Sequence, residues 1–371
     1  MIKRPRIKSY LTTFPISDNA WGIGGGSDEL WRINLNDQES LRTFTSVLPY
    51  LNGKYSVDEI VQDLRATKIA KNSIYRCLAQ LEKMAFIEED DSSELSLEDR
   101  QRYRDQISFF SRFTSSGGGK FQAKIRQARI GLVDSCELSQ SVRRSLVQSG
   151  FGNISILRDP ASDASHHDGW QATAAHQNGS KVETFDLDRE SIWSTSNDAA
   201  PPAAVIVPQE AHDPLLLEAM DSFSKKSGVP WMLIRALDPH EGWVGPFFIP
   251  GETASYLSLE ARLRGNMPFF EEYNAFDGHL RKVRRPSSPV GGLTSFFDLL
   301  SAMAVTEIVK YVTGISIPHL AGRFLTVNLL SWETELHEVL RLPRLEAESH
   351  SRPGIFPWKG VPYADSKTRR S

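Results

Sequence analysis

Ile130 to Val133 is an apolar run, followed by a helix-like stretch of about fifteen residues, a stop at Gly150 and a second apolar run ending on Asp159. A nucleotide-binding fold begins with that order of strand, turn, helix and strand. In such a fold G-x-G-x-x-G brings bare backbone N–H groups against phosphate at the helix N-terminus, and an acid at the end of the second strand meets the ribose. Here the turn reads Asp134, Ser135, Cys136, Glu137, Leu138, Ser139. Asp134 and Glu137 oppose an anion, and Ser135 and Cys136 keep the backbone from approaching one closely. Asp159 stands at the ribose position, but with no phosphate cradle beside it the residue reads as a strand-end or loop cap. Cys136 is a potential nucleophile, yet no histidine in the sequence identifies itself as its base, so it reads as a turn residue.

Two other stretches could carry chemistry. Gly117 to Lys120 has the outline of a phosphate loop, but no strand precedes it and no Ser or Thr follows the lysine; "TSSGGGK" reads as a flexible joint. His166, His167 and Asp168 could ligate a metal, but they lie in the polar stretch 160–200 and read as solvated loop. Cys77 and Cys136 are the only cysteines, which excludes a disulfide framework and a cysteine metal site and fits a cytoplasmic location.

The elements that must position these residues fall into two blocks. Residues 7–35 alternate and turn like a small antiparallel sheet, in "IKSYLTTF", "NAWGIGGG" and "ELWRINLN". Three helices follow: one from an Asp37 cap, one from a Ser56 cap, and "AKNSIYRCLAQLEKMAF", with Ile74, Leu78, Leu81 and Phe86 at helical spacing. That block, 1–95, reads as a winged-helix-like module. Residues 96–125 hold a connecting helix and the Gly-rich linker, and 346–371 form a tail. Between them, 126–345 is an α/β domain, with strands at 130–133, 153–158, 203–208 and 231–236 and helices at 137–149 and 213–227.

Composition narrows the function. The 371-residue chain is 40% hydrophobic with a net charge of −3, so no global field draws it to nucleic acid or an anionic membrane. The basic clusters at 281–286 and 367–370 read as solvated loop and tail. The N-terminal "MIKRPRIK" is not followed by an apolar core of signal-peptide length. The longest apolar segment, Phe296 to Ile317, carries Asp298, Glu307 and Lys310 and reads as a buried helix, not a membrane span.

"VLPYLNGKYSVDEIVQDL" followed by "LAQLEKMAFIEED" resembles the precursor-peptide recognition element of enzymes that modify ribosomally made peptides (RiPPs). A three-stranded sheet with a free edge beside an amphipathic helix can accept an extended peptide as a further strand. The resemblance implies that "ELWRINLN" is the acceptor edge and the third helix the opposing wall. Trp31, Ile33 and Leu35 alternate with Leu30, Arg32 and Asn34, so one set faces the core and the other the solvent. On the helix Ile74, Leu78 and Leu81 fit the core, while Tyr75, Arg76, Ala79 and Glu82 lie around its margin.

The second block resembles the ThiF-like superfamily of ubiquitin-activating-type folds, in particular the ocin-ThiF-like members that serve azole-forming (TOMM) peptide cyclodehydratases. The likeness rests on "WVGPFFIPGETASYLSLEARLRG", "SFFDLLSAMAVTEIVKYVTG" and "GRFLTVNLLSWETELHEVLRLPR" in that order. Members often hold a structural zinc through two C-x-x-C pairs. Here the first pair aligns with Ser255 and Ser258 and the second with Leu345 and Glu348, so no zinc is expected. The altered turn at 134–139 likewise leads us to expect no ATP site on this chain.

The resemblance therefore implies a leader-peptide-binding component without catalytic residues of its own. Its partner would be a YcaO-type cyclodehydratase subunit that uses ATP to form azoline or azole rings, as in bacteriocin biosynthesis. A homodimer is possible within the family. In the tail, Phe356, Trp358 and Tyr363 could anchor a partner or pack on their own domain. Two other readings stand beside this one: an adenylating ThiF-like enzyme that retains ATP binding, and a winged-helix DNA-binding regulator, which the acidic balance and the mixed charge of the third helix argue against.

Overall fold

The computed structural model describes residues 2–26, 29–35, 37–89, 94–159, 179–187, 192 and 201–346. His166, His167, Asp168, Glu348, Phe356, Trp358, Tyr363, the basic cluster 367–370 and the side chain of Leu345 lie outside the described residues. The chain divides into two units, Met1–Lys124 and Ile125–Ser371.

In the first unit, β1 (Pro5–Ile7) is followed by a hairpin meander of β2 (Thr12–Ser17), β3 (Ala20–Gly26) and β4 (Glu29–Asn34), which pair in the order β2-β3-β4. The expected single strand over 7–14 is thus two. Leu11 N–H donates to the Lys8 carbonyl in a turn, and the earlier piece pairs instead with β5 (Ile87–Glu89), where Arg6 meets the fully buried Glu88 at 2.8 Å. Three helices lie between: α1 (Gln38–Val47), α2 (Val57–Asp63) and α3 (Lys71–Lys83). Asp37 accepts from Ser40 N–H to start α1, and Ser56 and Glu59 form a reciprocal capping box on α2. Ile23, Ile33, Phe44, Val47, Ile60, Ile74, Leu78, Leu81 and Phe86 form the core on which all these elements close.

The connecting segment is two helices broken at Tyr103, α4 (Leu97–Arg102) and α5 (Arg104–Ser111), followed by α6 (Gly119–Gln127). The glycine triplet where α5 gives way to α6 is buried, which corrects its reading as a flexible joint. A Cβ on Gly118 would stand 2.0 Å from the Ile107 carbonyl oxygen and 2.8 Å from the Ser111 nitrogen, so glycine is there for close approach to the α5 backbone. Gly118→Ala is expected to destabilise this unit by about 1–3 kcal/mol, because backbone has to move.

The second unit holds an eight-stranded sheet of order β13-β12-β11-β10-β9-β6-β7-β8. Its parallel part comprises β6 (Arg129–Asp134), β7 (Asn153–Arg158), β8 (Lys181–Asp186), β9 (Ala204–Gln209) and β10 (Trp231–Arg235). β11 (Glu241–Phe248), β12 (Arg323–Asn328) and β13 (Thr334–Glu338) extend it antiparallel. Helices α7 (Glu137–Gln148) and α11 (Thr294–Thr313) pack on each other and against β6, β9, β10 and β11. Between them in sequence come α8 (Pro214–Ser227), α9 (Tyr256–Asn266) and α10 (Phe270–Val283), and α12 (Pro343–Glu346) ends the described chain.

Val205, Val207, Trp231 and Leu233 form a core with Leu216, Met220, Tyr256 and Leu259 of α8 and α9, each such side chain stabilising by about 1.5–3 kcal/mol on full burial. β8 corrects the reading of 160–200 as loop throughout. Its residues are all exposed or half-buried at the sheet edge, so no apolar run marks it. Arg281 corrects the reading of 281–286 as solvated, for it lies in α10 and pairs with Asp277 at 2.7 Å and Glu218 at 2.8 Å. α11 confirms the segment from Phe296 as a buried helix, with Glu307 paired to Lys310 and accepting from Leu320 N–H. No described helix is long and apolar enough to cross a membrane. Gly278 supplies the converse of Gly118: it is exposed in α10, and a Cβ added there would meet nothing within 4 Å. Gly278→Ala is expected to add about 0.5–1 kcal/mol, and denaturant midpoints of the two variants check the pair.

Candidate functional site

β4 is an edge strand: β3 lies on one side, and no strand pairs with the other among the described residues. Its side chains divide as the alternation requires. Ile33 and the following Leu35 are buried, Trp31 is half-buried with its ring 5.4 Å from that of Phe86, and Leu30, Arg32 and Asn34 are exposed. Arg32 Nε–H donates to Asn34 Oδ1 at 2.8 Å along the solvent face.

A cavity of about 350 Å³ opens between the end of β4, α1 and α3. Ile33 and Leu35 form part of its wall, Thr43 and Phe44 come from α1, and α3 presents Ser73, Arg76, Cys77, Gln80 and Leu81, with Met84 directly after it. Glu39 of α1 accepts from Ser73 Oγ at 2.7 Å, which ties the two helices at one end. Of the residues expected at a peptide site, the cavity brings together Ile33 and Arg76. Leu30, Trp31, Arg32, Asn34, Tyr75, Ala79 and Glu82 do not line it, and Tyr75 turns its hydroxyl toward Asp58 of α2 at 3.5 Å. The residues missed on α3 recur every three or four positions, one stripe over from Ile74, Leu78 and Leu81; that spacing was the available signal. Burial pushes the Cys77 thiol up to about 11, so it lines the groove as an apolar group.

The parallel strands of the second unit run β8-β7-β6-β9-β10, so the strand order reverses between β6 and β9. In such sheets ligands bind in the crevice at that reversal, beyond the carboxyl ends of the strands. At this reversal a side chain of the second unit caps the helix that follows β6. Glu210, directly after β9 and 6% exposed, accepts the Leu138 N–H of α7 at 2.5 Å. A carboxylate of the chain itself thus occupies the position at which a helix N-terminus would hold a phosphate. Ser135 Oγ donates to the Pro208 carbonyl at 3.3 Å and Ser139 Oγ to the Val133 carbonyl at 3.1 Å, closing the turn further. Cys136 is buried, and its thiol is pushed up to about 12, first by burial and then by the charge of Glu210. Asp159 is buried, with its N–H directed at the Asp134 carbonyl.

Ser255 is the N-cap residue of α9, and Ser258 is fully buried in its first turn. Ser258 Oγ accepts from Leu342 N–H at 3.1 Å, and Arg262 Nε–H donates to the Leu340 carbonyl at 2.8 Å. Hydrogen bonds therefore join α9 to the segment after β13. Among the described residues no group of three or more His, Cys, Asp or Glu side chains could hold a metal ion.

No family model matches the chain, and no curated protein matches it. Solved structures do. The heterocyclase TruD superposes with a TM-score of 0.63 at 18% identity over 94% of this chain and 42% of its own. A heterocyclase in complex with substrate and cofactor gives 0.60 at 18% identity, over 91% of this chain and 38% of its own. Escherichia coli MccB with MccA-N7isoASN gives 0.59 at 15% identity, over 91% of this chain and 97% of its own. The chain thus spans about two fifths of the two heterocyclase chains. The likeness is one of fold: a mixed α/β chain whose second unit has a large, mostly parallel sheet.

Proposed function

We propose that this chain binds the leader of a ribosomally made precursor peptide and presents it to a separate YcaO-type subunit that forms azoline or azole rings with ATP. The observation that carries this reading is the unpaired edge of β4 beside the groove between α1 and α3. An extended peptide added along that edge gains backbone hydrogen bonds, and one of its side chains gains the groove. Holding the leader raises the effective concentration of the core peptide at the partner's site. The fold neighbours support a peptide ligand: MccB was solved with MccA-N7isoASN and a heterocyclase with its substrate.

Glu210 favours a component that does not use ATP, since its carboxylate would repel a phosphate at the N-terminus of α7. The reading takes zinc to be unnecessary as well, because hydrogen bonds from Leu342 and Arg262 already tie the segments that zinc would bridge.

The test is fluorescence anisotropy of the labelled leader, taken from a short reading frame beside the gene, against the full chain. Ile33→Asp and Arg76→Glu are expected to weaken binding at least tenfold, and Ala79→Ser to leave it unchanged. Equal affinity across all three folded variants would remove the groove from the reading. Saturable magnesium-dependent ATP binding with no leader binding would favour the adenylating enzyme instead.

A further inference from the structure

A second cavity, of about 620 Å³, lies in the second unit beyond the carboxyl end of β10. Arg235, the last residue of β10, shares the alternation of Trp231 and Leu233 and so emerges on the face covered by α8 and α9. It lines the cavity, is 8% exposed, and its Nε–H has no hydrogen-bond partner among the described residues.

The carboxylates nearby are already engaged. Glu260 accepts from Arg264 at 2.8 Å and from the Tyr256 and Tyr273 hydroxyls at 3.2 Å each. Asp277 accepts from Arg264 at 2.9 Å and Arg281 at 2.7 Å. Arg235 has instead His212 Nδ1 at 3.4 Å and the Trp243 ring 5.1 Å from its guanidinium carbon. A guanidinium only donates, so Nδ1 accepts and His212 carries its proton on Nε2, which faces Asp277 at 3.5 Å. Arg235 is thus a nearly buried cation without a carboxylate partner among the described residues, beside an aromatic ring whose own Nε1–H donates to Glu241 at 3.0 Å. Burying such a charge unpaired is costly, and an anion entering the cavity would remove that cost.

The rest of the wall sets the body of the ligand. Trp243, Phe276, Leu263, Met267 and Val290 are aromatic or apolar. Asp238 and Glu241 also line the cavity, which suits a monoanion and disfavours phosphate. We propose that this cavity binds a single carboxylate carried on an aromatic or branched apolar body, with the carboxylate on Arg235 and the body against Trp243, Phe276 and Leu263. The carboxylate could belong to a free acid or to the C-terminus of a peptide. The site is separate from the β4 groove and does not depend on the reading given to that groove.

Titration calorimetry on the full chain tests it with five probes: 3-phenylpropionate, 3-phenylpropanamide, phenyl phosphate, and the tripeptide Ala-Ala-Phe with a free or an amidated C-terminus. Saturable binding is expected of the free acid, the free-C-terminal tripeptide or both, at least tenfold tighter than the matching amide and tighter than phenyl phosphate. The tighter of the two acids identifies the source. Arg235→Met, which removes no ion pair, is expected to fold and to lose the difference between acid and amide. Val290→Trp, at the half-exposed rim, is expected to block both acids and serves if Arg235→Met fails to fold. Equal binding of acid and amide, tighter binding of phenyl phosphate, binding by neither acid, or unchanged discrimination in folded Arg235→Met would each overturn the proposal.

Discussion

Replacing Glu210 with alanine is expected to lower the stability of the second unit by about 2 kcal/mol and to make that stability depend on phosphate. At present Glu210 satisfies the Leu138 N–H at 2.5 Å in the first turn of α7. The bond is charge-assisted, nearly buried and aligned with the helix dipole, which places it among the stronger caps. Alanine leaves that N–H without its acceptor and opens the crevice between β6 and β9 to an anion. Inorganic phosphate is then expected to restore part of the loss, because binding only to the folded state stabilises by mass action. Glu210→Gln, which keeps an acceptor and loses the charge, is expected to show about half the loss.

Scanning calorimetry of wild type and both variants, with and without phosphate, checks the argument. If wild type gains as much from phosphate as Glu210→Ala does, the crevice is open as it stands and the adenylating reading regains its ground. Cys136 adds a second readout. Its thiol is held up by burial before the charge of Glu210, so it is expected to stay unreactive to alkylating agents in the folded variant.

The parallel strands were legible in the sequence because burial on both faces writes them as continuous apolar runs, as in Ile130 to Val133 and Val205 to Val207. β8 was not, because an edge strand with no fully buried residue carries no such run. The glycine triplet misled for a related reason: glycine marks both a flexible joint and a close approach of backbones, and only the position of Ile107 decides between them. At the altered turn, local sequence gave Asp134 and Glu137 as the charges that oppose phosphate. The carboxylate that meets the first turn of α7 is that of Glu210, 72 residues from its hydrogen-bond donor, which only the topology brings there. The alternation of β4 separated its buried from its exposed side chains. Of the groove-lining stripe of the third helix only Arg76 was read from the sequence; Ser73, Cys77, Gln80 and Met84 share its spacing but no chemical type, so they were passed over.

Asp277→Ala is the other variant expected to cost about 2 kcal/mol at neutral pH, and its cost is expected to vary with pH in a way that separates two titrations. Asp277 is 2% exposed and holds Arg264, Arg281 and, at 3.5 Å, His212. Removing one partner of a buried charge pair costs about 3–5 kcal/mol, but both arginines here are about a third exposed and keep Glu260 and Glu218, which reduces the cost below that range to about 2 kcal/mol. Burial works against the charge on Asp277, and Arg281 and Arg264 outweigh it, so its carboxyl sits below the usual 3.8. Its contribution is therefore complete above that value and lost as pH falls through the lower folded one. His212 is also held below its usual 6.5, first by burial and then by Arg235, while Glu260 and Asp277 pull the other way. Wild-type stability should thus decline as pH falls below 6.5, since the unfolded chain takes up the proton more readily. Without Asp277 the folded imidazole is harder still to protonate, so the cost of Asp277→Ala is expected to grow as pH falls, below 6.5, through the folded titration of His212, and to shrink where wild type loses the charge on Asp277 as well. Urea titrations across that range check the curve. A cost that stays flat while wild-type His212 takes up its proton, followed alongside by NMR of the imidazole, would mean that Asp277 does not act on His212, whereas His212→Gln should remove that rise and leave the acid limb in place.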